Sequence, residues 1–214
     1  MIKYFVRTTG ERKFNYFPLI VTPLYDYEHK PVDSFIEQLK IISEYDSVLL
    51  EDDLILCKDF QKIIEEVISK YPNKIINFFT EPKRYVTTYI KNEPFTYNQC
   101  TYYPKGVALK LAQKMEEIRK NFPPNQMLYS QVESAALQSL GITHVVYRPC
   151  LVQHNDTKSI LYDLWGKDID ARTTIWFKDY IDELGIPYEE CYSNTNVLKL
   201  AEMRRKHLKG VYKK

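Results

Sequence analysis

The chain has almost no net charge. Thirty Lys and Arg against 28 Asp and Glu leave a formal +2, which gives no strong electrostatic case for a nucleic-acid or membrane partner. It also lacks any CxxC pair. Cys57, Cys100, Cys150 and Cys191 are widely scattered, which argues against a zinc site or a redox dithiol. Cys57, Cys100 and Cys150 sit among apolar or aromatic residues and read as small core side chains, which fits a reducing compartment. No apolar run approaches the ~18 residues of a membrane span. The opening MIKYFVRTTGER carries no long apolar region of the signal-peptide kind. The expectation is a cytoplasmic protein, in the host cytoplasm if the chain is viral. There is no internal repeat, low-complexity linker or domain boundary. At 214 residues, one domain over 1–214 with a substantial core is expected, carrying a helical, basic C-terminal extension over 178–214. Glycine is scarce, at 6 residues, and tyrosine abundant, at 18. Most tyrosines are expected to be half-buried packing residues, with stacking on sugars or bases as the sharper role.

One stretch organises the rest: Ser47–Phe60, SVLLEDDLILCKDF. Val48, Leu49 and Leu50 form an apolar run of buried-strand type. Glu51, Asp52 and Asp53 follow without a break, and Leu54, Ile55 and Leu56 are apolar again. Burying an unpaired charge is very costly, so the strand must end near Glu51 with the acids at its carboxyl end. In open α/β sheets that edge is where ligands bind. Carboxylates crowded on one turn call for a cation, and oxygen ligands suit Mg²⁺ or Mn²⁺, which commonly bring a phosphate with them. The competing reading is a solvated acidic turn that caps the next helix.

Along the chain, Lys3–Val6 reads as a strand with Arg7-Thr8-Thr9-Gly10 as the turn after it. That would put Arg7, Thr8 and Thr9 at the same edge as the acids, with Arg7 and Arg12 able to meet a diphosphate or a base. Exposed surface arginines are the alternative. Leu19–Thr22 reads as a second strand closed by Pro23. Asp33–Glu44 reads as an amphipathic helix, capped by Asp33 or Ser34. Asp59 starts another helix, with Phe60, Ile63, Ile64, Val67 and Ile68 on one stripe. Lys74–Phe79 is a strand. Thr80–Asn98 is polar and aromatic and reads as an irregular or hairpin excursion over the active edge, where acceptor specificity belongs. Cys100–Tyr103 is a strand. Pro104 leads into a helix through Glu116 with Ala108, Leu111, Ala112 and Met115 inward. Phe122–Asn125 is a break. Leu128–Leu140 is a helix ended by Gly141, and Thr143–Arg148 is a strand. Asn155–Asp170 reads as loop, Thr174–Leu184 as helix-like and Leu198–Leu208 as helix. The alternation predicts an α/β sheet with mainly parallel pairing.

His154 closes Leu151-Val152-Gln153-His154, just after the last of these strands. A histidine joining a carboxylate around one divalent ion is sound coordination chemistry for Mn²⁺. A satisfied structural histidine is the competing reading.

These letters resemble a family. VLLEDDLIL resembles the DxD-type motif of GT-A glycosyltransferases in its LEDD form, and TYYPKGVALKL resembles their acceptor-side strand and helix. RPCLVQHNDTKSI resembles the late P-S-L-V-Q-H-x-G-x-x-S segment of small bacterial and phage members, with Cys150 in place of serine and no glycine after the histidine. Ala171–Phe177 looks like the Arg–Phe signature that trails that segment. The resemblance covers about residues 1–180. It implies a GT-A nucleotide-sandwich fold: a Rossmann-like, mixed, mainly parallel sheet flanked by helices. It also implies a metal-dependent transfer of sugar from a nucleotide-diphosphate sugar to a hydroxyl acceptor. By this analogy Asp53 ligates the metal, Asp52 or Glu51 holds the ribose or donor sugar, and His154 completes the metal shell. Lys158 or Ser159 adds a donor to the diphosphate, and Arg7 and Thr8 meet the nucleotide. Glu133, in QVESAAL, is the acid in the region where the family carries its catalytic base, with Gln131 or Ser130 as alternatives in register and an ordinary exposed helix position as the other reading.

Three other readings stand beside a saccharide-directed transferase. The acceptor is a hydroxylated base in phage DNA, against which the low net charge counts. Or the chain is an inactive sugar- or nucleotide-binding module. Or it is a two-metal phosphoryl-transfer or nuclease enzyme, for which Asp26 and Glu81 are the available further acids.

Overall fold

The computed structural model describes residues 1–28, 30–79, 89–91, 98–121, 129–155, 173–191 and 193–211. Among these residues the main sheet has seven strands, in the order β2-β1-β3-β7-β5-β8-β6 with the ranges that follow. They are β1 (Ile2–Thr8), β2 (Val21–Tyr25), β3 (Asp46–Glu51), β5 (Ile75–Asn77), β6 (Tyr89–Lys91), β7 (Cys100–Tyr103) and β8 (His144–Val146). β1 is parallel to both β2 and β3, and β5 is parallel to β8. β7 runs antiparallel between β3 and β5, and β6 runs antiparallel to β8 at the edge. The chain therefore has a Rossmann-like α/β fold: a mixed, mainly parallel sheet flanked by helices.

The apolar runs are continuous because both faces of the sheet are covered. Successive side chains of a strand alternate between faces. Phe5, Leu49, Ile75 and Tyr103 go to one face and pack with α1 (Pro31–Ile42), α3 (Val107–Arg119) and α4 (Tyr129–Ser139). Tyr4, Val6, Val48, Leu50, Ile76 and Tyr102 go to the other and pack with α2 (Phe60–Lys70). Ile181 of α5 (Lys178–Glu183) and Leu200 of α6 (Asn194–Val211) join that second core. Ala108, Leu111, Ala112 and Met115 are the buried residues of α3, as their spacing predicts. All four cysteines are buried, and none is in a disulfide.

Where the elements depart from expectation, the reasons are physical. β1 runs on through Arg7, which pairs with both β2 and β3, and through Thr8, which pairs with β2. β2 begins later than expected and contains Pro23, opposite Val6. An edge strand leaves half its N–H groups unpaired, so a residue without one is tolerated. α1 starts at Pro31 with no side-chain cap, and Asp33 falls in its first turn instead. Proline suits that position because its missing N–H had no helical partner to lose. α4 closes as expected: Gly141, at φ 64°, donates to the Gln138 carbonyl, and Ile142 donates to the Leu137 carbonyl. That is the paired closure of a glycine-terminated helix.

The sequence pattern did not single out β4 (Leu54–Leu56). It pairs antiparallel with β9 (Val152–His154), with Leu54 opposite His154, Ile55 opposite Gln153 and Leu56 opposite Val152. This small second sheet carries the site. Within the Thr80–Asn98 stretch, β6 is an edge strand of the main sheet; its other residues up to Tyr97 lie outside the described residues, as do Phe122–Asn125 and residues 156–170. No helix among the described residues is long and apolar enough to cross a membrane.

Candidate functional site

Parallel pairing of β1 and β3 sets Arg7 opposite Glu51, so Thr8 and the acidic turn reach one edge of the sheet together. A side chain bridges the two ends of the turn. Tyr16 donates its hydroxyl to the Glu51 carbonyl at 2.5 Å and accepts from the Leu54 N–H at 3.2 Å. Both backbone groups are thereby satisfied where the strand stops.

Each acid then has its own surroundings. Asp52 accepts from Thr8 Oγ1 at 2.6 Å and from Arg12 at 3.2 Å. Burial raises its pKa above the ordinary carboxylate value, and the Thr8 hydrogen bond opposes that shift. Asp53 is 3% exposed. Its Oδ2 lies 2.8 Å from Arg12 Nη1, and its Oδ1 lies 3.2 Å from His154 Nδ1. Glu51 accepts from the Tyr129 hydroxyl at 2.6 Å, and its other oxygen is 4.0 Å from His154 Nε2. A buried carboxylate is tolerable only with such partners.

The second sheet brings His154 here. Asn155 donates its N–H to the Asp53 carbonyl at 2.7 Å, extending the β4–β9 ladder to the acidic turn. Gln153 anchors the other side. Its amide donates to the Thr174 carbonyl at 2.7 Å and accepts from the Thr174 N–H at 3.0 Å. The His154 ring meets Phe79 edge-on, with centroids 5.7 Å apart. Its Nε2 is buried and has no hydrogen-bond partner among the described residues.

Glu51, Asp53 and His154 each offer one ligand atom, all within 4.8 Å of one another. Two carboxylates and an imidazole suit Mn²⁺, or Mg²⁺ with water filling the remaining positions. The orphaned Nε2 is the observation that fits a cation, because a buried polar atom without a partner is costly. The reading of His154 as a satisfied structural histidine does not account for that atom.

Arg7 lies beneath this cluster. Its Nε donates to Gln38 at 2.8 Å, and its guanidinium sits 4.2 Å from the Tyr129 ring centroid and 4.6 Å from that of Phe35. It therefore underpins the residue that holds Glu51. Glu133 is not an exposed helix residue: it is fully buried. It accepts from the Tyr103 hydroxyl at 2.6 Å and from Asn98 Nδ2 at 2.7 Å. Burial raises its pKa to about 7 despite those bonds and the nearby Arg7. Four residues on, it shares the face of α4 that presents Tyr129, one turn deeper. Lys158 and Ser159 lie outside the described residues.

Tyr16, Gln38, Asn98, Tyr103 and Tyr129 were missed as partners of the site. Each acts over a long stretch of chain and carries no local pattern. A further aromatic pair stands close by. The rings of Tyr25 and Tyr27 stack at 4.8 Å and 7°. They lie against Gly10, whose N–H donates to Thr8 Oγ1 at 3.0 Å.

The chain matches no protein-family model and no curated protein sequence.

Proposed function

We propose that this chain is a metal-dependent glycosyltransferase of GT-A type that takes sugar from a nucleotide-diphosphate sugar to a hydroxyl acceptor. The observation that carries the reading is the meeting of Glu51, Asp53 and the orphaned His154 Nε2 at the carboxyl edge of a Rossmann-like sheet. Those three residues would hold Mn²⁺ or Mg²⁺. When bound, the ion supplies Lewis acidity to the diphosphate that departs from the sugar. Asp53 would be the direct ligand, as the LEDD resemblance implies, and the placement of Glu51 within 4.8 Å of the other two ligand atoms supports a place for it in the same shell.

The chain's own residues do the rest. Thr8 fixes Asp52 so that the carboxylate faces the nucleotide's ribose or the donor sugar. The stacked Tyr25 and Tyr27 beside Gly10 offer a flat apolar surface for a nucleobase. Arg7, through Tyr129, keeps the Glu51 carboxylate aimed at the cation. Glu133, the base that the resemblance implies, is fully buried with one carboxylate oxygen held by Tyr103 and the other by Asn98, so it would act as a base only if an acceptor hydroxyl displaced one of those partners.

The test is a thermal-shift panel of nucleoside diphosphates and nucleotide sugars, with and without Mn²⁺, on wild type and Asp53→Ala. A ligand that binds only the native state raises Tm by mass action. The expected result is a shift for one nucleotide that needs Mn²⁺ and disappears in the variant. No shift for any nucleotide would sink the transferase reading. Binding without hydrolysis of the donor would make the chain a binding module. Sugar transfer to a hydroxylated base in DNA, rather than to a saccharide, would identify the acceptor.

A further inference from the structure

We propose that Arg12 is the resident counter-ion of the cation site: it yields Asp53 when the divalent ion binds and then turns to the diphosphate that the ion brings. The inference rests on the proposed cation site and adds a competition that the site resemblance does not contain.

A single nitrogen, Arg12 Nη1, lies 3.2 Å from Asp52 Oδ1 and 2.8 Å from Asp53 Oδ2. The other oxygen of Asp53 faces His154 at 3.2 Å. Asp53 thus stands between two positions for positive charge, with a guanidinium on one side and the Glu51–Asp53–His154 ligand group on the other. The buried His154 Nε2, 4.0 Å from Glu51 Oε2 and with no hydrogen-bond partner among the described residues, marks the second position. Without a cation, Arg12 balances carboxylates that would otherwise repel one another across the turn. With one, the guanidinium and a double positive charge compete for the same buried carboxylate, and like charges this close in a partly desolvated site repel strongly.

Arg12 is placed to move. It stands in the connection between β1 and β2, outside the named strands and helices, two residues beyond Gly10 at φ 84°. Its side chain is partly open, 17% exposed against 1% for Asp53. The planar guanidinium matches a phosphate oxygen pair as well as it matches a carboxylate. A group released from Asp53 at this edge is the natural partner for the diphosphate.

The experiment uses the full chain as wild type, Arg12→Met and Arg12→Lys. Circular dichroism checks that each is folded. Free Mn²⁺ is titrated by electron paramagnetic resonance with no nucleotide present, and UDP, GDP and ADP are then titrated at saturating Mn²⁺. Competition predicts that Arg12→Met binds Mn²⁺ about tenfold more tightly and loses about tenfold in affinity for the preferred nucleoside diphosphate. Arg12→Lys is expected to fall between the two in both titrations, so the trend survives if the methionine variant is poorly folded. Unchanged or weaker Mn²⁺ binding in both variants, with wild type still binding, would overturn the competition and leave Arg12 as a fixed support. No Mn²⁺ binding by any of the three proteins would overturn the cation site itself, and this inference with it.

Discussion

His154 stands directly opposite Leu54 across the β4–β9 pair, and this register puts its Nδ1 3.2 Å from Asp53 Oδ1. A register slip of one residue would send the histidine to the other face. The pairing therefore serves the site as much as the core. Removing either partner should separate ligation from folding. Asp53→Ala is expected to abolish stabilisation by Mn²⁺. His154→Ala is expected to weaken Mn²⁺ binding by at least about tenfold, since an imidazole ligand contributes directly to metal affinity. Both are read by Mn²⁺ titration followed through Tm. An unaltered titration for His154→Ala would leave the histidine with a packing role against Phe79.

The Tyr16 hydroxyl takes both backbone groups at the two ends of the acidic turn. Tyr16→Phe keeps the ring and leaves the buried Leu54 N–H without its partner. The expected loss is about 2 kcal/mol, or about 4–8 °C in Tm for a chain of this size. Mn²⁺ affinity should fall as well, because Glu51 and Asp53 are no longer held in one geometry. A variant with wild-type Tm and wild-type Mn²⁺ affinity would show that the turn keeps its shape unaided.

Gln153 ties β9 to the segment leading into α5 through two bonds with Thr174. Gln153→Ala opens a buried polar gap and leaves Thr174 unsatisfied, which should destabilise the fold by about 2–3 kcal/mol. Denaturant melts measure that loss. The His154 backbone should loosen with it, visible as faster hydrogen exchange at Asn155, whose N–H is held by the Asp53 carbonyl at 2.7 Å. Unchanged exchange there would place the support of His154 elsewhere.

What the sequence made legible were features written locally. The apolar run Val48–Leu50 followed by three acids located the strand end. The spacing of Ala108, Leu111, Ala112 and Met115 fixed the buried face of α3, and Gly141 marked a helix end. Arg7 and Thr8 were placed at the correct edge, though β1 runs through them. What stayed hidden depends on contacts between distant segments. β4 is three residues long, too short to show a period, and exists because β9 pairs with it. Tyr16 and Tyr129 look like any of the chain's other tyrosines until the fold sets their hydroxyls on Glu51. The family resemblance marked Glu133 as a candidate base, but nothing nearby in the chain announces that Tyr103 and Asn98 hold it buried. Pro23 closes a strand by local rules, but an edge position exempts it.

Glu133 gives the remaining prediction, and its sign follows from linkage. Burial raises its pKa from the ordinary 4.5 to about 7 in the folded chain. Below the unfolded value both states hold the proton, and the group contributes no slope. Between about 4.5 and about 7 the folded state keeps a proton that the unfolded state has released, so stability falls as pH rises. Above about 7 both states are ionised and the full penalty, on the order of 3 kcal/mol, is present. Glu133→Gln has no proton to lose, so its denaturation midpoint should lack this decline. The difference between the two proteins, measured from pH 4 to pH 8, should move in the variant's favour as pH increases. The amide must still accept from the Tyr103 hydroxyl while Asn98 turns its own carbonyl to meet the new N–H. The variant's stability at pH 4 shows whether that exchange succeeds. A pH-independent difference would mean that Glu133 titrates near its ordinary value. The same variant tests the catalytic reading separately. Retained nucleotide binding with lost sugar transfer would support Glu133 as the base, and normal transfer would confine its carboxylate to holding Tyr103 and Asn98.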